Sequence, residues 1–339
     1  MNPLIPPVTP LAARTGRAVW PARGCERERV ECLVPTHPRS RLRLAMAAAL
    51  ALVPLAAWWS TRGHAAWVTM WAVAFAMFFA IKLLTLIDAL VATAGRAGVA
   101  RALAYLALWP GLNAREFLGD AAAWAEWRHG RVFASGLANF FLGIALLAWA
   151  LPRVADPTPL ATGSLLVPGW AGMVGLILVL HFGAFRAMAW AWCRAGVNAP
   201  PIMRNPLAAT SLAEFWGERW NIAFAETARR FIFRPLARRA GARAAGAAVF
   251  LVSGLVHESV LSLPVRDGWG GPTLYFVLQA LGIAVEKSAV GRRLGLGGGA
   301  RGWIWTALLT AAPVPLLFHA PFVAGVMVPF LREIFLLLP

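Results

Sequence analysis

Residues 65–92 read AAWVTMWAVAFAMFFAIKLLTLIDALVA. The stretch exceeds the roughly 20 apolar residues that cross a bilayer as a helix. Lys82 and Asp88 are its ionisable side chains. At about 100° per residue, Lys82, Thr85 and Asp88 fall within an arc of about 120°. Charged groups inside such a run cost free energy in hydrocarbon, so this arc is expected to face protein or water. A buried polar contact that fixes helix packing accounts for it without invoking function.

Working outward, further apolar runs lie near 44–60, 132–151, 164–193, 244–262, 269–288, 303–319 and 322–338. Together with 65–92 they predict an all-α, polytopic transmembrane bundle of about eight spans. Composition agrees: of 339 residues, 59% are hydrophobic and 14% charged, with mean hydropathy +0.64. Soluble domains average about 25% charged. The net charge of +17 would suit a nucleic-acid binder, but so apolar a chain is not one, and no nucleic-acid partner is expected. Of the 32 basic residues, only Arg62, Arg153 and Arg266 fall in loops on one side of the predicted bundle, while Lys82, Arg186 and Arg332 lie within runs. The rest fall on the other side, which the positive-inside rule makes cytoplasmic. Both termini are then inside, and a multi-pass bacterial inner-membrane protein is expected.

Residues 1–43 are rich in Pro and Arg and read as a basic, disordered arm without assigned function. Cys25, Cys32 and Cys193 show no metal or disulfide spacing. The segments 95–131 and 194–243 interleave Trp, Phe and Leu with charge and read as interfacial or re-entrant helices.

Within 205–221, NPLAATSLAEFWGERWN, Thr210 or Ser211 can cap a helix starting near Leu212, with Glu214 in its first turn. Trp216, Trp220 and Phe224 then form an apolar stripe beside a polar one of Glu214, Glu218 and Asn221. The arginines from Arg204 to Arg243 suit either an anionic membrane face or a phosphate-rich ligand such as coenzyme A. His257 lies in the run 244–262. Ser253, Gly254 and Gly246 make a small-residue stripe on its side, so the imidazole is expected to point into the bundle. A neutral imidazole there can accept an alcohol proton as a general base. A buried packing histidine is the alternative. His181 and Arg186 in 164–193 read as a further buried polar contact. His-x4-Asp, adjacent histidines, a complete His-Glu-x-x-His, a Walker A loop and Gly-x-Ser-x-Gly are all absent from the sequence.

ATSLAEFWGERWN (209–221), followed by FLVSGLVHE (250–258), resembles the paired motifs of the membrane-bound O-acyltransferase family, in its wax-synthase branch. ALAYLALWPGLNAREFL (102–118) is similar to an upstream family stretch. Glu218 stands where Arg is common in the family. The resemblance implies an acyl-CoA-dependent transferase acting on the hydroxyl of a long-chain or other lipid alcohol, with 44–339 as its domain. It implies His257 as base and Asn221 as a second polar catalytic residue. Trp216, Arg219, Trp220, Arg229, Arg230 and Ser253 are the candidate substrate-binding residues. Acyl-CoA enters as co-substrate, with no separate cofactor or metal, and membrane lipids are the further partners. Acylation of a polysaccharide or natural-product hydroxyl is the enzyme alternative. The non-enzyme alternative is a transporter using Lys82, Asp88, His181, Arg186 and His257 as an ion path, although the sequence shows no internal repeat of the kind many transporters carry.

Overall fold

The computed structural model describes residues 52–92, 98–120, 125–155 and 165–337. The N-terminal arm lies outside the described residues. Every regular element among the described residues is a helix. In order, the chain comprises α1 (52–61), α2 (Ala66–Ala92), α3 (Val99–Leu108), α4 (Ala114–Leu118), α5 (Gly130–Ala155), α6 (Leu166–Arg194), α7 (Leu212–Glu214, continued by a π-turn at Phe215–Arg219), α8 (Ile222–Ser262), α9 (Gly271–Lys287), α10 (Ala289–Leu294), α11 (Gly299–Leu317) and α12 (Ala320–Leu336).

Four of these helices, α2, α5, α6 and α8, are long and apolar enough to cross a membrane. A fifth arises if α11 and α12, bent by 60° at the break between them, count as one span. The expected eight is therefore not confirmed among the described residues. The run 269–288 becomes α9, only 17 residues long, and it carries Gln279 and Glu286 buried. The runs 303–319 and 322–338 form one bent pair. The run 44–60 falls partly outside the described residues.

On α2, Phe75, Phe79, Leu83, Ile87 and Val91 recur every four residues and all are exposed. Water would penalise such a stripe, whereas bilayer hydrocarbon is its natural solvent. The protein is a multi-pass integral membrane protein. Without a hydrophobic drive between helices in lipid, close packing takes over. Between α5 and α6, a Cβ on Gly143 would stand 2.7 Å from the Gly175 carbonyl oxygen, and one on Gly175 would stand 3.0 Å from that of Gly143.

The ionisable residues of the spans do not pair as the sequence suggested. Lys82 Nζ donates to the carbonyls of Trp109 (2.5 Å) and Gly111 (2.9 Å) and sits 3.8 Å from the Tyr105 ring centroid. Asp88 instead binds Arg115 at 3.2 Å, and it also binds Arg230. Arg186 donates to Ser135 Oγ at 2.7 Å and to the Met203 carbonyl, while His181 Nδ1 has no partner among the described residues. These contacts tie the 109–115 stretch and Met203 to the spans.

α8 is two helices in one. Gly241 has φ +81°, a left-handed conformation that glycine adopts without strain. The arginine-rich 222–240 therefore changes direction before the apolar 242–262, close to the expected start of the span. Upstream, the π-turn Arg229–Phe233 precedes Pro235, which has no N–H to give to the regular ladder.

Candidate active site

His257 ends the regular part of α8, before a π-turn at Glu258–Ser262. Its Nδ1 lies 2.7 Å from the backbone carbonyl of Ser253, one turn earlier. A carbonyl can only accept, so Nδ1 carries the proton. In the neutral ring Nε2 is then the basic atom, and it makes no hydrogen bond among the described residues. Phe276 of α9 backs the imidazole, with ring centroids 4.5 Å apart. α9 comes this close because residue 254 is glycine: a Cβ there would meet Thr273 Cα at 2.8 Å. Gly246 has nothing within 4 Å of such a Cβ, so the close helix approach involves Gly254 and not the whole predicted stripe.

Ser253 serves this arrangement through its carbonyl. Its hydroxyl donates to Val249 O at 2.9 Å instead. Glu258 turns away from the imidazole. Its Oε1 accepts from the Gly270 (2.9 Å) and Thr273 (3.1 Å) amides, closing the N-terminus of α9, and its buried Oε2 has no partner.

The 209–221 motif folds as the capping signals foretold, then departs from them. Ser211 Oγ accepts from the Glu214 amide at 3.0 Å. Glu214 Oε2 accepts from the Thr210 amide (2.8 Å) and hydroxyl (3.1 Å), and its Oε1 takes Arg219 Nη2 at 2.6 Å. Burial pushes the Glu214 carboxyl upward, but the Thr210 and Arg219 contacts win and hold it below the usual carboxylate range. Arg219 also donates to the Arg204 and Asn205 carbonyls, each at 3.2 Å. It is thus committed to holding the 204–219 loop closed.

The helix stops at Trp220, which is extended, and Asn221, which is left-handed with φ +43°. This break overturns the predicted continuous stripe. Trp216 enters one core with Phe250, Tyr275 and Phe276, while Trp220 enters another with Phe182 and Met203. Phe224 is exposed, as is Glu218. Asparagine tolerates the left-handed region better than most residues, so position 221 has a backbone reason for its residue that sequence periodicity did not reveal. Its amide donates to Met203 Sδ at 3.2 Å, and its side-chain carboxamide bonds to no described residue.

Asn221 and His257 make no direct hydrogen bond. Ring contacts connect their surroundings: Trp220 to Phe215 (5.6 Å), Phe215 to Trp216 (5.0 Å), Trp216 to Phe276 (5.5 Å) and Phe276 to His257 (4.5 Å). Both residues lie in one stretch that the comparisons single out. Residues 199–278 match the membrane bound O-acyl transferase family.

Curated relatives align over the same order of length. One, named probable long-chain-alcohol O-fatty-acyltransferase 3 from Arabidopsis thaliana, is 35% identical over 112 residues, 29% of this chain and 32% of that protein. The long-chain-alcohol O-fatty-acyltransferase of Simmondsia chinensis is 34% identical over 114 residues, 30% and 32% of the two chains. A third, probable long-chain-alcohol O-fatty-acyltransferase 8 from Arabidopsis thaliana, is 36% identical over 103 residues, 27% and 30%. The chain thus spans under a third of the length of the curated relatives it matches. The acyltransferase match takes in α7, all of α8 and the start of α9, the elements that hold Asn221, Trp216 and His257.

Of the arginines, Arg230 reaches back to Asp88, which Arg115 also holds. Arg229, Arg234, Arg238, Arg239 and Arg243 are exposed on α8. Between Thr227 and His257 the sequence contains no acidic residue. Gln279 and Glu286 on α9, which the sequence analysis did not single out, also hold the 211–216 segment, whereas Lys82 binds the carbonyls of the Trp-Pro-Gly turn. All three lie in apolar runs, where a lone polar residue signals a partner without saying which.

Proposed function

We propose that the protein transfers an acyl group from acyl-CoA to the hydroxyl of a long-chain or other lipid alcohol, forming a wax-type ester. The observation that carries this reading is His257. Its Nδ1–H is tied to the Ser253 carbonyl, leaving Nε2 as the acceptor of a proton inside a membrane bundle. Nε2 takes the alcohol proton as the alcohol oxygen attacks the thioester carbonyl. The tetrahedral intermediate then collapses, the carbon–sulfur bond breaks, and the coenzyme A sulfur leaves with the proton from the imidazolium. The Asn221 carboxamide, without a partner among the described residues, donates to the developing oxyanion. A well-placed donor of this kind contributes about 2.7–4 kcal/mol.

The exposed arginines from Arg229 to Arg243 receive the phosphates of coenzyme A and the headgroups of anionic lipids on the cytoplasmic face. Arg230 acts from its pairing with Asp88. Trp216 and Trp220 wall the acyl path, and Arg219 keeps the 204–219 loop closed. This orientation sets the N-terminus inside. The relatives are plant proteins, and they lend no support to a bacterial inner membrane in particular.

Purified protein given radiolabelled acyl-CoA and a panel of alcohols tests the reading. Labelled ester with long-chain alcohols supports it. Labelled product only with polysaccharide acceptors, or none with any acceptor, overturns it.

A further inference from the structure

α9 carries a row of side chains that the proposed chemistry does not use directly. Tyr275, Phe276, Gln279, Gly282 and Glu286 recur at three- and four-residue spacing and are all buried. Each faces the 211–216 segment or its surroundings. Glu286 Oε2 accepts from the Leu212 amide at 3.0 Å, at the segment's start. Gly282 leaves room for Leu212, since a Cβ there would stand 2.5 Å from Leu212 Cδ1. Gln279 sits at the segment's far end. Its Oε1 accepts from Trp216 Nε1 at 3.2 Å, and its Nε2 donates to the Leu309 carbonyl at 2.7 Å.

Gln279 is fully buried, so both bonds replace water that the site does not offer. A carboxamide can accept from an indole and donate to a carbonyl at once, and Gln279 does both here. A carboxylate would face Leu309 acceptor to acceptor, and an alkyl chain would strand both partners. Trp216, so held, packs on Phe276, which in turn packs on His257. The imidazole is therefore fixed at two points: Nδ1 by the Ser253 carbonyl, and the ring by Phe276 with Trp216 behind it.

We propose that Gln279 is a positioning residue, which acts through Trp216 and Phe276 to hold the His257 imidazole in the orientation that presents Nε2 to the acceptor alcohol. This rests on the reading of His257 as the base. Positioning errors tell on the chemical step and leave binding of a substrate held elsewhere unchanged.

The test is a double-mutant cycle on the purified full-length protein, with turnover of acyl-CoA and a long-chain alcohol as readout. Gln279→Leu is expected to lower kcat about five- to tenfold, the scale of one or two lost hydrogen bonds, with a smaller change in the KM for acyl-CoA. Gln279→Glu keeps the acceptor for Trp216 and is expected to recover part of that loss. In a Trp216→Phe background, where the indole N–H is gone, Gln279→Leu is expected to cost less than half as much in logarithmic terms. Equal losses in both backgrounds, or a raised KM with unchanged kcat, would overturn the proposal. If Gln279→Leu does not fold, Gln279→Met, which also removes both hydrogen bonds, gives the same cycle with Trp216→Phe. His257→Ala is run in parallel. Should it retain turnover, the base assignment fails. Should it lose turnover while Gln279 variants keep theirs, the positioning role alone fails.

Discussion

Gly246→Ala and Gly254→Ala are the same substitution about two turns apart on α8, and they should act in opposite directions. At Gly246 the added methyl meets nothing within 4 Å. Removing a glycine from a helix interior there should stabilise by about 0.5–1 kcal/mol. At Gly254 the methyl would stand 2.8 Å from Thr273 Cα, and because that atom is backbone it cannot swing aside. Restoring ordinary contact at about 3.4 Å requires α8 and α9 to part by about 0.6 Å, an overpacking that costs about 1–3 kcal/mol. Phe276 lies on α9 one turn beyond Thr273 and backs His257, so the same displacement reaches the imidazole. Misplacement by about 1 Å can cost about 10²-fold in rate, so roughly a tenfold fall in kcat is expected. Thermal unfolding of the purified variants in one detergent, with turnover on the same samples, measures both effects. If Gly254→Ala matches wild type in melting and turnover, the tight α8–α9 contact described above is wrong. If Gly246→Ala destabilises as much, the small-residue stripe extends as the sequence suggested and the structural distinction fails.

Three further outcomes follow from the site. Asn221→Gly preserves the left-handed backbone at φ +43° and should fold with wild-type stability while losing about 10²-fold in kcat; unchanged turnover would leave Asn221 a backbone role alone. The Glu214 carboxyl is held below its reference value of 4.5, so its contribution to stability is fully present above that pH and fades as pH falls through the lowered value. Glu214→Gln should therefore flatten the acid limb of a stability-against-pH curve, and an unaltered limb would show that the Arg219 clamp contributes little. Acyl-CoA binding should weaken with added salt, and less steeply after Arg234→Gln and Arg238→Gln together; a salt slope identical to wild type would remove those arginines from the donor site.

The hydropathy pattern revealed the all-helical membrane fold because lipid imposes it on any apolar run of sufficient length. The separate spans it counted at α9 and at the α11–α12 pair are not confirmed among the described residues. There length and hydropathy could not register that Gln279 and Glu286 are turned inward, or that the chain bends near His319. Ser211 and Glu214 were legible as a cap because capping is local chemistry. The split of Trp216 from Trp220 was not, because helical periodicity presumes an unbroken helix and Asn221 breaks it through a backbone conformation. Lys82 and Asp88 share a helix face, yet their partners come from distant segments, and one helix's spacing carries no information about those. His257 was readable from its neighbours, but Ser253 acts through a carbonyl, which side-chain reasoning overlooks.

The most direct test of the account is the turnover of His257→Ala measured beside its acyl-CoA affinity. Nε2 as general base predicts that kcat falls by about 10²–10⁴-fold with acyl-CoA binding retained. Turnover near wild type, with binding intact, would contradict it.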